Sequence, residues 1–261
     1  MEMLLQNKNA VIYGGGGAIG GAVARAFARE GAKVFLAGRT LAKLDAVARE
    51  ISAAGGAVET AQVDALDEQA VEKHLEAVIN HAGRIDISFN AVGFNEIQGI
   101  PLIDLSLEDF IFPITGWSRT VFLTSRAAAR RMVRQGAGVI LTINAPAGHE
   151  ALSGGFGAGC AAILAISRTL AEEVGPHGVR VLCLQPNAVP ESAALLRSIA
   201  QHAKGKGVEV QEFLASMANG TLLRRLPTLE EVADVASFVA SDRARIMTGS
   251  IVKLNCGAEV D

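Results

Sequence analysis

Between Asn9 and Gly31 the chain reads NAVIYGGGGAIGGAVARAFAREG, and few folds accept such a stretch. Ala10, Val11, Ile12 and Tyr13 form an apolar, β-prone run that enters four glycines; an alanine-rich pattern with Ile19, Val23 and Phe27 on one helical face leaves them. The order is strand, turn, helix. Glycine admits positive φ and lets a charged ligand approach with no Cβ in the way, while the N–H groups and partial positive charge of a helix start favour an anion. The stretch predicts a pyrophosphate cradle, in one register Gly15-x-Gly17-x-x-Gly20 and in another Gly14-x-x-x-Ala18-x-Gly20. A simple tight turn is the plain alternative.

The rest of the chain favours the cradle. Residues 33–37 are a buried-strand run, and 41–54 form a helical pattern with Leu41, Leu44, Val47, Ala48 and Ile51 inward. The unit repeats through a strand at 58–63, a helix at 68–81 and a strand at 85–90. A long helical region over 106–133, interrupted near Pro113 and Gly116, leads to a strand at 138–143, a helix at 155–174 and a strand at 179–184. A polar, helical excursion occupies 191–226, a helix spans 229–241, and a strand at 251–254 closes the chain. This alternation predicts an α/β fold with a doubly wound parallel sheet and right-handed crossovers. With 261 residues, half of them apolar, we expect one domain over 1–261.

Net charge is −3 and no basic cluster alternates with aromatics, so neither nucleic acid nor an anionic membrane is expected as a partner. Cys160, Cys183 and Cys256 are far apart with no CxxC, and the histidines have no ligand spacing. No metal is expected, the thiols read as reduced, and His74, His81, His177 and His202 read as surface residues. The start MEMLLQNKN has no basic segment followed by a long apolar one, which reads as a cytoplasmic protein.

The glycine loop, Asn90-Ala91-Val92-Gly93 after the fourth strand, Gly178-Val179-Arg180-Val181, and Met247-Thr248-Gly249-Ser250 with Asn255-Cys256-Gly257 occur in that order. Together they resemble the short-chain dehydrogenase/reductase family over essentially the whole chain. The resemblance implies a single Rossmann-type domain with a seven-stranded parallel sheet, a nicotinamide dinucleotide over the carboxyl ends of the strands, a small-molecule substrate, and a homotetramer or homodimer. It implies cofactor contacts at Gly14, Gly15, Gly17, Ala18, Ile19 and Gly20. It also implies Asp64 at the adenine, Asn90, Ala91 and Gly93 under the adenosine ribose, and Pro186 through Val189 near the nicotinamide. Asp64 as an ordinary helix N-cap is the alternative. Where an acidic residue would hold a ribose 2′-hydroxyl, the chain has Gly38 and then Arg39, a planar cation suited to a 2′-phosphate; Thr40 adds a hydroxyl. NADP(H) is therefore favoured over NAD(H). The small residues Gly157, Ala158, Gly159, Ala161 and Ala162 suggest that the helix at 155–174 joins a symmetric interface, or else packs closely on the sheet.

The family moves a hydride between the nicotinamide and a carbonyl or alcohol carbon, with a tyrosine and a lysine four residues later managing the proton. Here Phe156 falls at the tyrosine position, Cys160 at the lysine and Ala145 at the family serine; the family asparagine falls near Thr115-Gly116. Two readings are open. One is an NADP(H)-dependent oxidoreductase acting on a small carbonyl, alcohol or conjugated alkene by a non-standard proton route. Its expected groups are Asn144 as oxyanion donor, His149 or a water as proton source, and Cys160 at the ribose. The segment 191–226 closes over the substrate. The other is a catalytically silent NADPH-binding protein, a redox-responsive or hetero-oligomer subunit. General acid-base catalysis contributes about 10² to 10⁴-fold, so some turnover survives its loss.

Overall fold

The computed structural model describes residues 3–146 and 151–259. The first half runs β1 (Asn9–Tyr13), α1 (Ala18–Arg29), β2 (Lys33–Gly38), α2 (Leu41–Ala53), β3 (Val58–Gln62), α3 (Glu68–Ala82) and β4 (Ile87–Asn90). The second runs α4 (Leu107–Gln135), β5 (Gly138–Ile143), α5 (Phe156–Val174), β6 (Val179–Pro186), α6 (Ala193–Lys206), α7 (Val210–Asn219), α8 (Leu229–Ala240) and β7 (Ile251–Leu254). The seven strands form one parallel sheet in the order β3-β2-β1-β4-β5-β6-β7. Strand β1 shows why both faces must be covered. Ala10 and Ile12 enter a core with Phe27 of α1 and Ala236 of α8, whereas Val11 and Tyr13 enter a second core with Leu75 of α3 and Ala128 of α4. Each such large apolar side chain adds about 1.5–3 kcal/mol on burial.

Helix starts are chemically marked. Asp67 accepts from the N–H groups of Gln69 and Ala70 at the start of α3, Ser106 accepts from Asp109 at α4, and Thr228 with Glu231 forms a capping box at α8. Asp64 therefore is not the cap of α3; its Oδ1 accepts from the Leu66 N–H at 3.0 Å, a local turn, and the side chain is exposed.

Three sequence expectations change. Helix α4 is continuous through Pro113 and Gly116. Proline removes one backbone donor there, but Pro113, Gly116 and Trp117 are buried, and that packing outweighs the local break. The glycine is needed, since a Cβ on Gly116 would lie 2.9 Å from the Phe94 ring. The excursion after β6 resolves into two helices, α6 and α7, with their own small core around Ile199, Ala203 and Phe213. His74 and His202 are buried, not surface residues: His202 stacks on Phe213 with ring centroids 5.8 Å apart, and His74 lies edge-on to Tyr13 at 5.9 Å. A surface charge pattern in sequence says nothing of a ring that tertiary contacts enclose.

Candidate active site

Because every strand is parallel, the loops after β1, β2, β3, β4, β5 and β6 emerge at one edge, and the switch point lies between β1 and β4. Gly14 leaves β1 with φ +77°, and a Cβ there would lie 2.5 Å from the Ala91 carbonyl oxygen of the β4 loop. A Cβ on Gly20 would lie 2.4 Å from the Gly14 carbonyl oxygen. Neither position admits a side chain without moving backbone. Gly17 starts α1 with no side-chain cap and no acidic residue in the first turn, so the N–H groups of Ala18 and Ile19 at this helix start are left to a ligand. The loop itself is held by Gly14 N–H donating to Ala37 O at 2.8 Å and Gly17 N–H to Gly14 O at 2.9 Å. Gly15 is closed in by Leu36, 2.8 Å from where its Cβ would be.

The end of β2 is informative for what it lacks. A Cβ on Gly38 would meet only Leu44, at an ordinary 3.4 Å, and the backbone φ is not positive. Sterics do not forbid an acidic side chain here; the chain simply has none. Arg39 comes next, exposed, and no hydrogen bond or ion pair engages its guanidinium among the described residues. Thr40 starts α2 without a side-chain cap bond. Lys43, which sequence reasoning missed, has its Cβ 2.8 Å from where a Gly16 Cβ would stand, so it borders the glycine loop.

Asn90 is buried at the end of β4. Its Nδ2 donates to Thr124 Oγ1 at 2.9 Å and its Oδ1 accepts from Val92 N–H at 3.1 Å, which shapes the turn leading to Gly93. Ala91 N–H donates to Tyr13 O and continues the ladder one residue past β4. Asp64 stands exposed after β3 on an open cleft that Arg119 also borders.

At the β5–β6 end, Asn144 is buried and tied on both sides. Its Nδ2 donates to the Cys160 carbonyl at 3.0 Å, and its Oδ1 accepts from Gln185 Nε2 at 3.3 Å. Ala145 and Phe156 meet at a cavity of about 100 Å³, which Asn187 and Ala188 also border; Phe156 opens α5 with its ring edge-on to Trp117 at 5.3 Å. Pro186 ends β6 and Val189 is buried behind it. Cys160 is buried, and that burial pushes its thiol up to about 12; burial likewise pushes Cys183 up to about 11. Neither thiol forms a thiolate near neutral pH. His149 lies outside the described residues. The chain has one tyrosine, Tyr13, sealed in β1 with no hydrogen-bond partner for its hydroxyl among the described residues, and α5 contains no lysine. From the far side α6 and α7 supply Ile199, His202, Phe213 and Met217 to the same cavity. Glu96 and Gln98, on the loop after β4, complete it; they too escaped sequence reasoning, because nothing local marks a loop that folds back over the site.

Among the described residues no group of acidic, histidine and cysteine side chains is arranged to hold a metal, and no helix is long and apolar enough to cross a membrane.

A family model described as enoyl-(acyl carrier protein) reductase matches residues 16–259. An uncharacterized oxidoreductase of Mycobacterium tuberculosis is 31% identical over 258 residues, covering 97% of this chain and 92% of its own. L-xylulose reductase of Bos taurus is 28% identical over 261 residues, covering 98% of each. Among solved structures, sorbitol-6-phosphate 2-dehydrogenase of Erwinia amylovora superposes with a TM-score of 0.90 at 26% identity, over 97% of this chain and 100% of that one.

Proposed function

Since the chain belongs to the short-chain dehydrogenase/reductase family of oxidoreductases, we propose that it is an NADP(H)-dependent oxidoreductase transferring hydride to or from a small carbonyl/alcohol pair or a conjugated alkene. The observation that carries the cofactor preference is the end of β2, where Gly38 has room for an acid but supplies none, and Arg39 and Lys43 stand on either side of Thr40. The cradle of Gly14, Gly15, Gly17 and Gly20 with the start of α1 takes the pyrophosphate; Asp64 faces the adenine, Asn90 to Gly93 the adenosine ribose, and Pro186 to Val189 the nicotinamide. The bound nicotinamide supplies hydride chemistry. The protein contributes orientation and exclusion of water, with Asn144 fixing β5 against α5 and β6, and with residues 191–226 covering the substrate inside one 1–261 domain.

The proton route is the unusual part. With its only tyrosine in β1 and no lysine on α5, the chain takes its proton from a group outside the family dyad: we assign that role to His149 or a water, with Asn144 as the oxyanion donor. The same observation favours the second reading, a silent NADPH-binding subunit. A homo-oligomer is part of either reading. Gly155 and Gly159 pack against α4, where added Cβ atoms would meet the Phe110 carbonyl and Trp117, while Ala158 and Ala161 of α5 remain exposed for a symmetric contact. We read the protein as cytoplasmic.

Titration with NADPH and NADH tests the cofactor. A preference of about 1.5–3 kcal/mol for NADPH is expected from a charge-assisted contact, and Arg39→Ala should remove most of it. Equal affinities in the wild type would refute the assignment. A panel of carbonyls and conjugated alkenes with NADPH oxidation followed optically then separates the two readings, because only the first gives turnover.

A further inference from the structure

Among the described residues the cavity at the β5–β6 end is lined by one carboxylate, and its surroundings are unusual. Glu96 is 6% exposed. Its Oε1 accepts from Gln98 Nε2 at 2.6 Å and from Ser198 Oγ at 3.2 Å. No hydrogen bond or ion pair reaches Oε2 among the described residues, and the side chain lines the cavity. The loop that presents it is pinned rather than free: Gln98 N–H donates to Gln201 Oε1 at 2.8 Å, Gly99 N–H to Leu152 O at 2.7 Å, and Arg197 to Asn95 Oδ1 at 2.7 Å.

Among the described residues no lysine or arginine lines this cavity, and the one basic ring that does, His202, has Nε2 beside the Ala151 carbonyl at 3.3 Å. A carboxylate taken out of water without a cation is costly, and the cost is offset when a cation arrives with good geometry. Ala145, Phe156, Ile199 and Met217 give the rest of the wall an apolar character suited to a carbon skeleton. We infer that Glu96 Oε2 anchors a protonated nitrogen on the substrate, so that the cavity takes a small amino-ketone, or the corresponding amino-alcohol, in preference to a neutral ketone of the same shape. This rests on reading the cavity as the substrate pocket. Both donors sit on Oε1, which leaves Oε2 to the ligand and makes Glu96 a specificity-determining residue.

The test is a matched pair of probes, 1-methyl-4-piperidone as the cation and 4-methylcyclohexanone as the neutral ketone, titrated calorimetrically at a pH where the amine is protonated. Oxidised dinucleotide is present so that neither ketone is reduced. Wild type should bind the cation about 10 to 100-fold more tightly, the range of a hydrogen bond to a charged group. Glu96→Gln, which keeps the shape, should abolish the preference and leave the neutral ketone unchanged. If Glu96→Gln does not fold, Ser198→Lys places an ammonium of the protein's own beside the carboxylate and should abolish the preference equally. Equal affinities in the wild type, a preference that survives both substitutions, or binding of neither ketone overturns the proposal. Dinucleotide affinity, measured separately on the same samples, keeps this result distinct from failure of the cofactor assignment.

Discussion

The carboxyl edge of the sheet is built on different terms at its two ends. At β1 to β3 the constraints are backbone constraints. Gly14 and Gly20 cannot take a Cβ, and the helix start at Gly17 is uncapped. At β5 and β6 the same edge is filled by side chains that exchange no proton at neutral pH: Ala145, Phe156 and a buried Cys160. Binding a dinucleotide needs a shape that few residues provide, whereas moving a proton needs one group at one place and can be reassigned.

The comparison breaks if a side chain is tolerated in the cradle. Gly14→Ala combines a left-handed φ, worth about 1–2 kcal/mol, with an overpacked contact worth about 1–3 kcal/mol. We expect a loss of about 4 kcal/mol in urea unfolding together with loss of dinucleotide binding. A stable variant that still binds would show that the glycine is dispensable.

The first end also contains an acid-sensitive element. Burial pushes His74 down to about 4, below its ordinary 6.5, so the unfolded chain binds the extra proton between those values. Stability should therefore be level above pH 6.5 and fall as pH drops from 6.5 to 4, by about 3 kcal/mol at 1.36 kcal/mol per unit. Urea midpoints across that range check the sign, and His74→Leu should flatten the profile. A His74→Leu profile parallel to wild type would move the effect elsewhere.

At the second end the comparison is sharpened by restoring what is missing. Phe156→Tyr, Cys160→Lys and Ala145→Ser together should raise carbonyl reduction about 10²-fold over wild type, the low end for acid-base catalysis, because a lysine at buried Cys160 must extend into the cavity to hold its charge. Neither Phe156→Tyr nor Cys160→Lys should suffice alone. A folded triple variant that binds NADPH and gains nothing would mean that these residues do not face the nicotinamide.

The smallest effect concerns Tyr13. Its hydroxyl is buried without a partner, and burial drives its pKa far above the ordinary value. Removing an unsatisfied buried group is stabilising, so Tyr13→Phe should gain about 1 kcal/mol with no change in dinucleotide affinity. A loss of stability would indicate that the hydroxyl has a partner in solution.

The strands and the cradle were legible because their causes are local: alternating periodicity marks the elements, and a run of glycines marks backbone that must come close to something. Pro113 misled for the complementary reason, since local propensity predicts a break while the packing of Trp117 on Phe94 and Phe156, from outside the helix, keeps α4 continuous. Arg39 was readable from its place after a strand. Lys43 and Glu96 were not, because one reaches the glycine loop from a neighbouring helix and the other from a loop returning beneath α6. His74 and His202 were misread for want of any sequence sign that Tyr13 and Phe213 would enclose them.

The strand order has a consequence for how the molecule comes into being. In the sheet β1 lies between β2 and β4, but along the chain β2 and β3 are synthesised long before Ile87–Asn90. A nascent chain that has released only its first three strands therefore has β1 paired on one side and open on the other, with Ala10 to Tyr13 presenting unsatisfied amides and apolar side chains. That open edge closes only when β4 leaves the ribosome, so slow translation before β4 has emerged should favour misassociation between nascent chains, and slow translation after it has emerged should not.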